Sequence, residues 1–191
     1  MNQFRLFLTL AVFSFSSCTT ILTATTGDEG IQEDPTERTA GAVVEDEVIE
    51  TKIAVNMRSQ EPRLRQANID VVSYNGVVLL VGQVESNELK ARATEIASQA
   101  SVKIKRIHNE IEVTGKTSLL SKSNDAWIAT KIRTLMLTEK DVPSDQVRVI
   151  TENGSVYLMG LISQVEGENA ANLARNVSGV NRVVKVFEYL N

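Results

Sequence analysis

Apolar residues recur every four positions in NDAWIATKIRTLML (124–137), at Ile128, Ile132 and Met136. That spacing predicts an amphipathic helix with these three residues on its inner face. At about 100° per residue, the centre of that face lies about 140° from Trp127. Lys131 and Thr134 fall close to the Trp127 direction, with Leu135 and Leu137 on either flank. The only tryptophan of the chain therefore lies off the expected core face.

The same patterning occurs twice. NGVVLLVG (75–82) returns as NGSVYLMG (153–160), and TKI at 51–53 returns at 130–132. Ala93, Ile96 and Ala97 correspond to Ala170, Leu173 and Ala174, and Ile104, Arg106, Ile107 and Ile111 to Val180, Arg182, Val183 and Phe187. Matching blocks in the same order mark two copies of one domain. Each copy reads as a first helix (45–58 and 125–138), a loop with Pro62 or Pro143, and a strand (ANIDVVSY or QVRVITE). Asn-Gly follows, the strongest short hairpin signal, because both turn positions need φ > 0. A second strand, an Ala-rich helix (86–100 and 164–177) and a last strand complete the unit. The expected fold class is α+β: tandem αββαβ domains, each with two helices on one face of a three-stranded mixed sheet.

The chain begins MNQFRLFLTLAVFSFSSC, with one basic residue, an apolar run from Leu6 to Phe15, and small residues before Cys18. This reads as a secretory signal over 1–17, too short to span a bilayer. Residues 18–44 are rich in Thr, Gly and acids, lack periodicity, and are expected to form a flexible acidic tether. The domains are then expected at 45–113 and 125–191, joined by a polar linker at 114–124. Cys18 is the sole cysteine, so no disulfide can form within the chain.

Two resemblances follow from these residues. The stretch up to Cys18 resembles the lipobox of bacterial lipoproteins, although Phe15 and Ser17 depart from the usual Leu and Gly/Ala. That resemblance implies lipidation of Cys18; the absence of an aspartate after it implies sorting to the outer membrane. The element order, the Asn-Gly turns, the glycine ending the second strand and VSGVNRVVKVFEY (177–189) resemble the BON domain. Together with the signal, nearly the whole chain resembles the DolP (YraP) family of tandem BON-domain outer-membrane lipoproteins. SNDAWIATKIRTLMLT and TENGSVYLMGL are its most specific segments. One departure is SVKIKRI in the first copy, which lacks the glycine of SGVNRVV. The resemblance implies domains facing the periplasm and binding of anionic, phosphatidylglycerol-like phospholipid through the first helix of the second BON domain. It also implies a role in envelope integrity and enrichment at division sites.

The duplication supplies an internal control on where a site would be. Positions apolar in both copies (Ile49/Ile128, Ile53/Ile132, Met57/Met136) are expected in the core. Leu135 and Leu137 replace Asn56 and Arg58, and Trp127 replaces Val48, so the shared fold does not require them. Burying such residues against lipid is worth roughly 3–6 kcal/mol together after discounting for partial insertion. Trp favours the headgroup level, and a neighbouring basic residue such as Lys131 adds about 1 kcal/mol at an anionic surface. The expected site is Trp127, Lys131, Thr134, Leu135 and Leu137. Three readings of this face remain open: it binds lipid, it docks on an envelope or outer-membrane protein as an interaction or chaperone-like module, or Trp127 packs between the domains. Val77, Leu79 and Val81 alternate with Val78 and Leu80, so one face of that strand could receive the second domain.

Other chemistry finds little support. His108 is the only histidine and reads as a solvent-facing strand residue. With one His and one Cys the usual zinc ligand sets are missing, and no nucleophile elbow or phosphate-cradling loop is present. The carboxylates of EDEVIE (45–50) read as a solvated helix start. The formal charge of −4 and the lack of a basic domain argue against nucleic acid. The expectation is a non-enzyme with no cofactor, no metal and no catalytic residues.

Overall fold

A computed structural model describes residues 37–114 and 119–190, with side chains from residue 122 in the second stretch. Cys18, the signal over 1–17, the tether as far as residue 36 and linker residues 115–118 lie outside the described residues.

The first domain opens with α1 (Ala40–Gln60), which begins ahead of the expected residue 45 because Thr39 caps it, accepting the Ala42 N–H at 3.1 Å. The loop expected around Pro62 contains a short helix, α2 (Pro62–Gln66), with Pro at its start and Glu61 as cap. Strands β1 (Asn68–Tyr74) and β2 (Val77–Val84) form the hairpin, and α3 (Asn87–Ser98) packs behind it. The last strand is parallel to β2 but broken into β3 (Arg106–Asn109) and β4 (Glu112–Val113). Asn109 causes the break: its Oδ1 accepts the Ile111 N–H at 3.1 Å, competing with the ladder, while its amide donates to Lys90 and Thr94 on α3. Ile111 meanwhile turns into the core.

The second domain repeats the plan with α4 (Leu119–Thr138), β5 (Val147–Glu152), β6 (Ser155–Ile162), α5 (Gln164–Arg175) and β7 (Arg182–Tyr189). Its sheet has the order β5-β6-β7, antiparallel then parallel. Helix α4 reaches back into the 114–124 stretch, since no Pro or Gly interrupts it between Leu119 and Asn124. In both hairpins Asn and Gly adopt positive φ: Asn75 and Gly76 at 51° and 76°, Asn153 and Gly154 at 50° and 73°. The glycine closing each motif lets the partner strand approach. A Cβ on Gly82 would stand 1.9 Å from the Asn68 carbonyl oxygen, and one on Gly160 2.5 Å from that of Gln146.

Each domain has its own core between sheet and helices. Ile49, Ile53 and Met57, with Ile128, Ile132 and Met136, are all buried as expected from the internal comparison. A third cluster lies between the domains: Val72, Tyr74, Val77, Leu79 and Val81 meet Tyr157, Met159 and Val186. The two sheets thus pack by the faces their own helices leave bare, giving four layers with helices outermost. Ion pairs ring the boundary, including Arg148–Glu50, Lys105–Glu188 and Arg182–Glu110.

Two expectations are corrected here. His108 is not solvent-facing: it pairs with Leu79 in register, shares the inter-sheet face, and its Nε2 is buried without a partner. Burial, with Arg106 nearby, pushes it below the ordinary histidine range. Nor is EDEVIE merely a solvated helix start. Asp46 is 3% exposed and accepts the backbone N–H groups of Asn75 and Gly76 at 2.8 and 2.9 Å, the Ser73 hydroxyl and Arg38. Glu50 accepts the Ser73 N–H and pairs with Arg148. The second copy repeats the clamp: Asp125 accepts the N–H groups of Asn153 and Gly154, each at 2.8 Å.

Removing either clamp leaves turn N–H groups facing a void. Asp125→Ala is expected to cost about 2–4 kcal/mol, read as a lower urea midpoint, with Asp125→Asn recovering part of the loss. Burial alone would raise the Asp46 pKa, but the bonds from Gly76, Ser73, Asn75 and Arg38 outweigh it and hold the group below the ordinary aspartate value. A depressed folded pKa means this stabilisation is complete above the unfolded value and is lost as pH falls through the folded one. Asp46→Asn should therefore flatten the acid limb of the stability–pH curve.

Candidate functional site

The candidate face is built on α4, whose inner side is fixed by burial and whose first turns are fixed by Asp125. Ile128 seats against Gly179, whose φ is 90°; an ideal Cβ there would meet Ile128 Cδ1 at 3.1 Å. With Ile128, Ile132 and Met136 inward, the opposite side must face away from the sheet. Trp127 stands there 53% exposed and Leu137 74% exposed, with Lys131 and Thr134 also exposed.

The polar groups of this face are mostly satisfied from within. The Thr130 hydroxyl donates to the Ala126 carbonyl at 2.8 Å and that of Thr134 to the Thr130 carbonyl at 2.9 Å. Arg133 is drawn away, donating to the Val149 carbonyl at 2.6 Å. Lys131 has no ion-pair partner among the described residues. The result is a ridge of one indole, one leucine and threonine side chains, with a free ammonium beside the indole.

Of the residues expected from sequence, Trp127, Lys131, Thr134 and Leu137 share this outward side. Leu135 differs: it is half-buried and packs against the domain's own core. It borders a groove of about 410 Å³ between α4 and α5, lined also by Thr138, Glu139, Asn169 and Leu173. Trp127 belongs to none of the buried clusters, so it is not packed between the domains. Sequence reasoning missed Asp125 and the Arg133 tie. A signal for the first was present: Asp46 and Asp125 head the shared pattern Asp-x-x-Ile-x-Thr-Lys-Ile at 46–53 and 125–132. Nothing in the sequence marks the second, which depends on where the β5 edge lies.

No group of three or more His, Cys, Asp or Glu suited to a metal occurs among the described residues. No described helix is long and apolar enough to cross a membrane.

Residues 45–115 and 124–191 each match the family model of the BON domain. The chain is a tandem BON-domain protein. It is 40% identical over 164 residues to the "21 kDa hemolysin" of Actinobacillus pleuropneumoniae, covering 86% of this chain and 83% of that one. It is 36% identical over 154 residues to the "Outer membrane lipoprotein DolP" of Haemophilus influenzae, covering 81% and 79%. More distantly, it is 26% identical over 180 residues to the "Osmotically-inducible protein Y" of Escherichia coli, covering 92% and 89%. The similarity therefore covers 79% to 89% of the length of these relatives.

The outward position of Trp127 separates it from its neighbour Ile128. Trp127→Ala should shift the unfolding free energy by less than about 1 kcal/mol, whereas Ile128→Ala should cost about 2–5 kcal/mol. Paired urea melts give the contrast.

Proposed function

We propose that this tandem BON-domain protein is an outer-membrane lipoprotein anchored through Cys18. Its domains stand in the periplasm, and the outer face of α4 binds anionic phospholipid. The observation that carries this reading is the ridge itself: Trp127 at 53% and Leu137 at 74% exposure flank Lys131, which has no ion-pair partner among the described residues. An indole and a leucine exposed together on one side of a helix whose core positions are already filled form the kind of apolar surface that suits a second apolar environment. An indole suits the headgroup level of a bilayer, and an ammonium beside it favours anionic lipid. The kinship with a protein named as an outer-membrane lipoprotein supports the location. Binding at this face would hold the domains against the bilayer in addition to the lipid anchor, a two-contact attachment suited to a role in envelope integrity. Enrichment at division sites belongs to the same proposal, through the family resemblance.

The test uses the chain from residue 19 onward, which keeps every described residue and carries a single tryptophan. Phosphatidylglycerol vesicles should shift Trp127 emission to the blue and co-sediment the protein, and phosphatidylcholine vesicles should do neither. Leu137→Glu is expected to weaken co-sedimentation by roughly 10- to 100-fold, Lys131→Glu to weaken it less, and added salt to reduce it. Absence of both shift and co-sedimentation at low salt would overturn lipid binding and leave the face to an envelope-protein partner.

A further inference from the structure

Where the two domains meet below the start of α4, one carboxylate is held from water with fewer partners than it can use. Glu152 closes β5 and is 8% exposed. From the other domain Gln83, on β2 and 3% exposed, donates its amide N–H to Glu152 Oε1 at 2.6 Å. The other end of that amide, Gln83 Oε1, is buried and has no hydrogen-bond partner. An ionised carboxylate is acceptor-only and leaves that oxygen unsatisfied. A protonated one carries an O–H that can turn to Gln83 Oε1, making a two-point acid–amide pair.

The surroundings favour the neutral form. Asp70 on β1 and Asp125 on α4 disfavour another negative charge, while Lys122 on α4 opposes them. Lys122 is itself engaged by the Asn68 side chain at 2.8 Å. Glu112 on β4 reaches the neighbouring Asn153 amide at 3.4 Å, adding a further carboxylate to this boundary. Elsewhere on the same inter-sheet face His108, flanked by Arg106 and Glu110, is pushed by burial toward its neutral form. Burial first, with Asp70 and Asp125 adding to it, pushes the Glu152 carboxyl above the ordinary glutamate range, against the Gln83 bond that works the other way.

We propose that Glu152 is a proton latch between the two BON domains: it takes up one proton from solvent as they dock, completing the acid–amide pair with Gln83, so that docking tightens as the medium turns acidic. The sign follows from linkage. A carboxyl with a raised pKa in the docked state binds more protons than when undocked, so docking strengthens as pH falls from above the docked value towards the undocked one. Within that window the docking constant rises by up to about tenfold per pH unit.

Three measurements on the chain from residue 19 onward test the latch. Carboxyl-carbon NMR of the unaltered sequence should give Glu152 a midpoint above the ordinary glutamate value, and a midpoint at or below that value would overturn the proposal. Urea midpoints between pH 8 and 5 should rise toward acid more steeply for the unaltered chain than for Glu152→Gln, whose amide offers donor and acceptor at every pH. Equal slopes would overturn it. Gln83→Leu, made in the other domain, removes the bond that favours the charged carboxylate and should move the Glu152 midpoint further up; a midpoint that does not move would show a proton site that is not coupled across the domain boundary.

Discussion

Everything in this molecule is arranged around two central strands that have no polar side. All eight positions of β2 are buried, and β6 is nearly the same. A sheet whose helices cover only one face must find a second apolar layer, and here each domain supplies it to the other. The inter-sheet cluster removes from water surface that neither domain could leave bare. It also fixes what remains outside: the outer sides of the helices. The unpaired ridge on α4 is thus a consequence of the packing, since the sheets are occupied on both faces.

The duplicated carboxylate clamp does comparable work at a smaller scale. A two-residue turn with positive φ at both positions points its N–H groups inward, where water cannot satisfy them. Asp46 and Asp125 reach from the first helix of each domain to accept both. One buried acid therefore sets the axial position of the helix against the hairpin. In the second domain it fixes where Trp127, two residues later, must point.

Much of this was legible in the sequence, and the particular failures are instructive. The internal repeat disclosed the domain plan because Asn-Gly, the closing glycine and the inward isoleucines each answer a backbone or core requirement that recurs. The outward direction of Trp127 followed from helical spacing alone, and the two-faced apolarity of 77–81 pointed to a partner for the sheet. Asp46 and Glu50 were misread because an acid near a helix start is usually solvated, and only tertiary structure brings the hairpin over it. His108 was misread for the same reason: the residues two positions away on either side, Arg106 and Glu110, are charged, but the layer above it belongs to the other domain. The break after Asn109 has a side-chain cause that depends on α3 lying within reach. The inward lean of Leu135 reflects the width of the apolar face, which takes in a flank position that a narrow stripe would exclude.

The four-layer order also bears on where the two copies differ. Helices α1 and α4 occupy opposite outer layers, so a flat surface touching the outer side of one cannot touch that of the other. The inner faces of both, by contrast, answer to the same core requirement. The residues follow this division. Inward, the isoleucines and methionine are retained in register. Outward, Val48 stands where Trp127 does and Arg58 where Leu137 does, while Thr51 agrees with Thr130 and Lys52 with Lys131. The indole and the exposed leucine thus stand on the second copy alone, at outer positions that the shared core leaves free to vary.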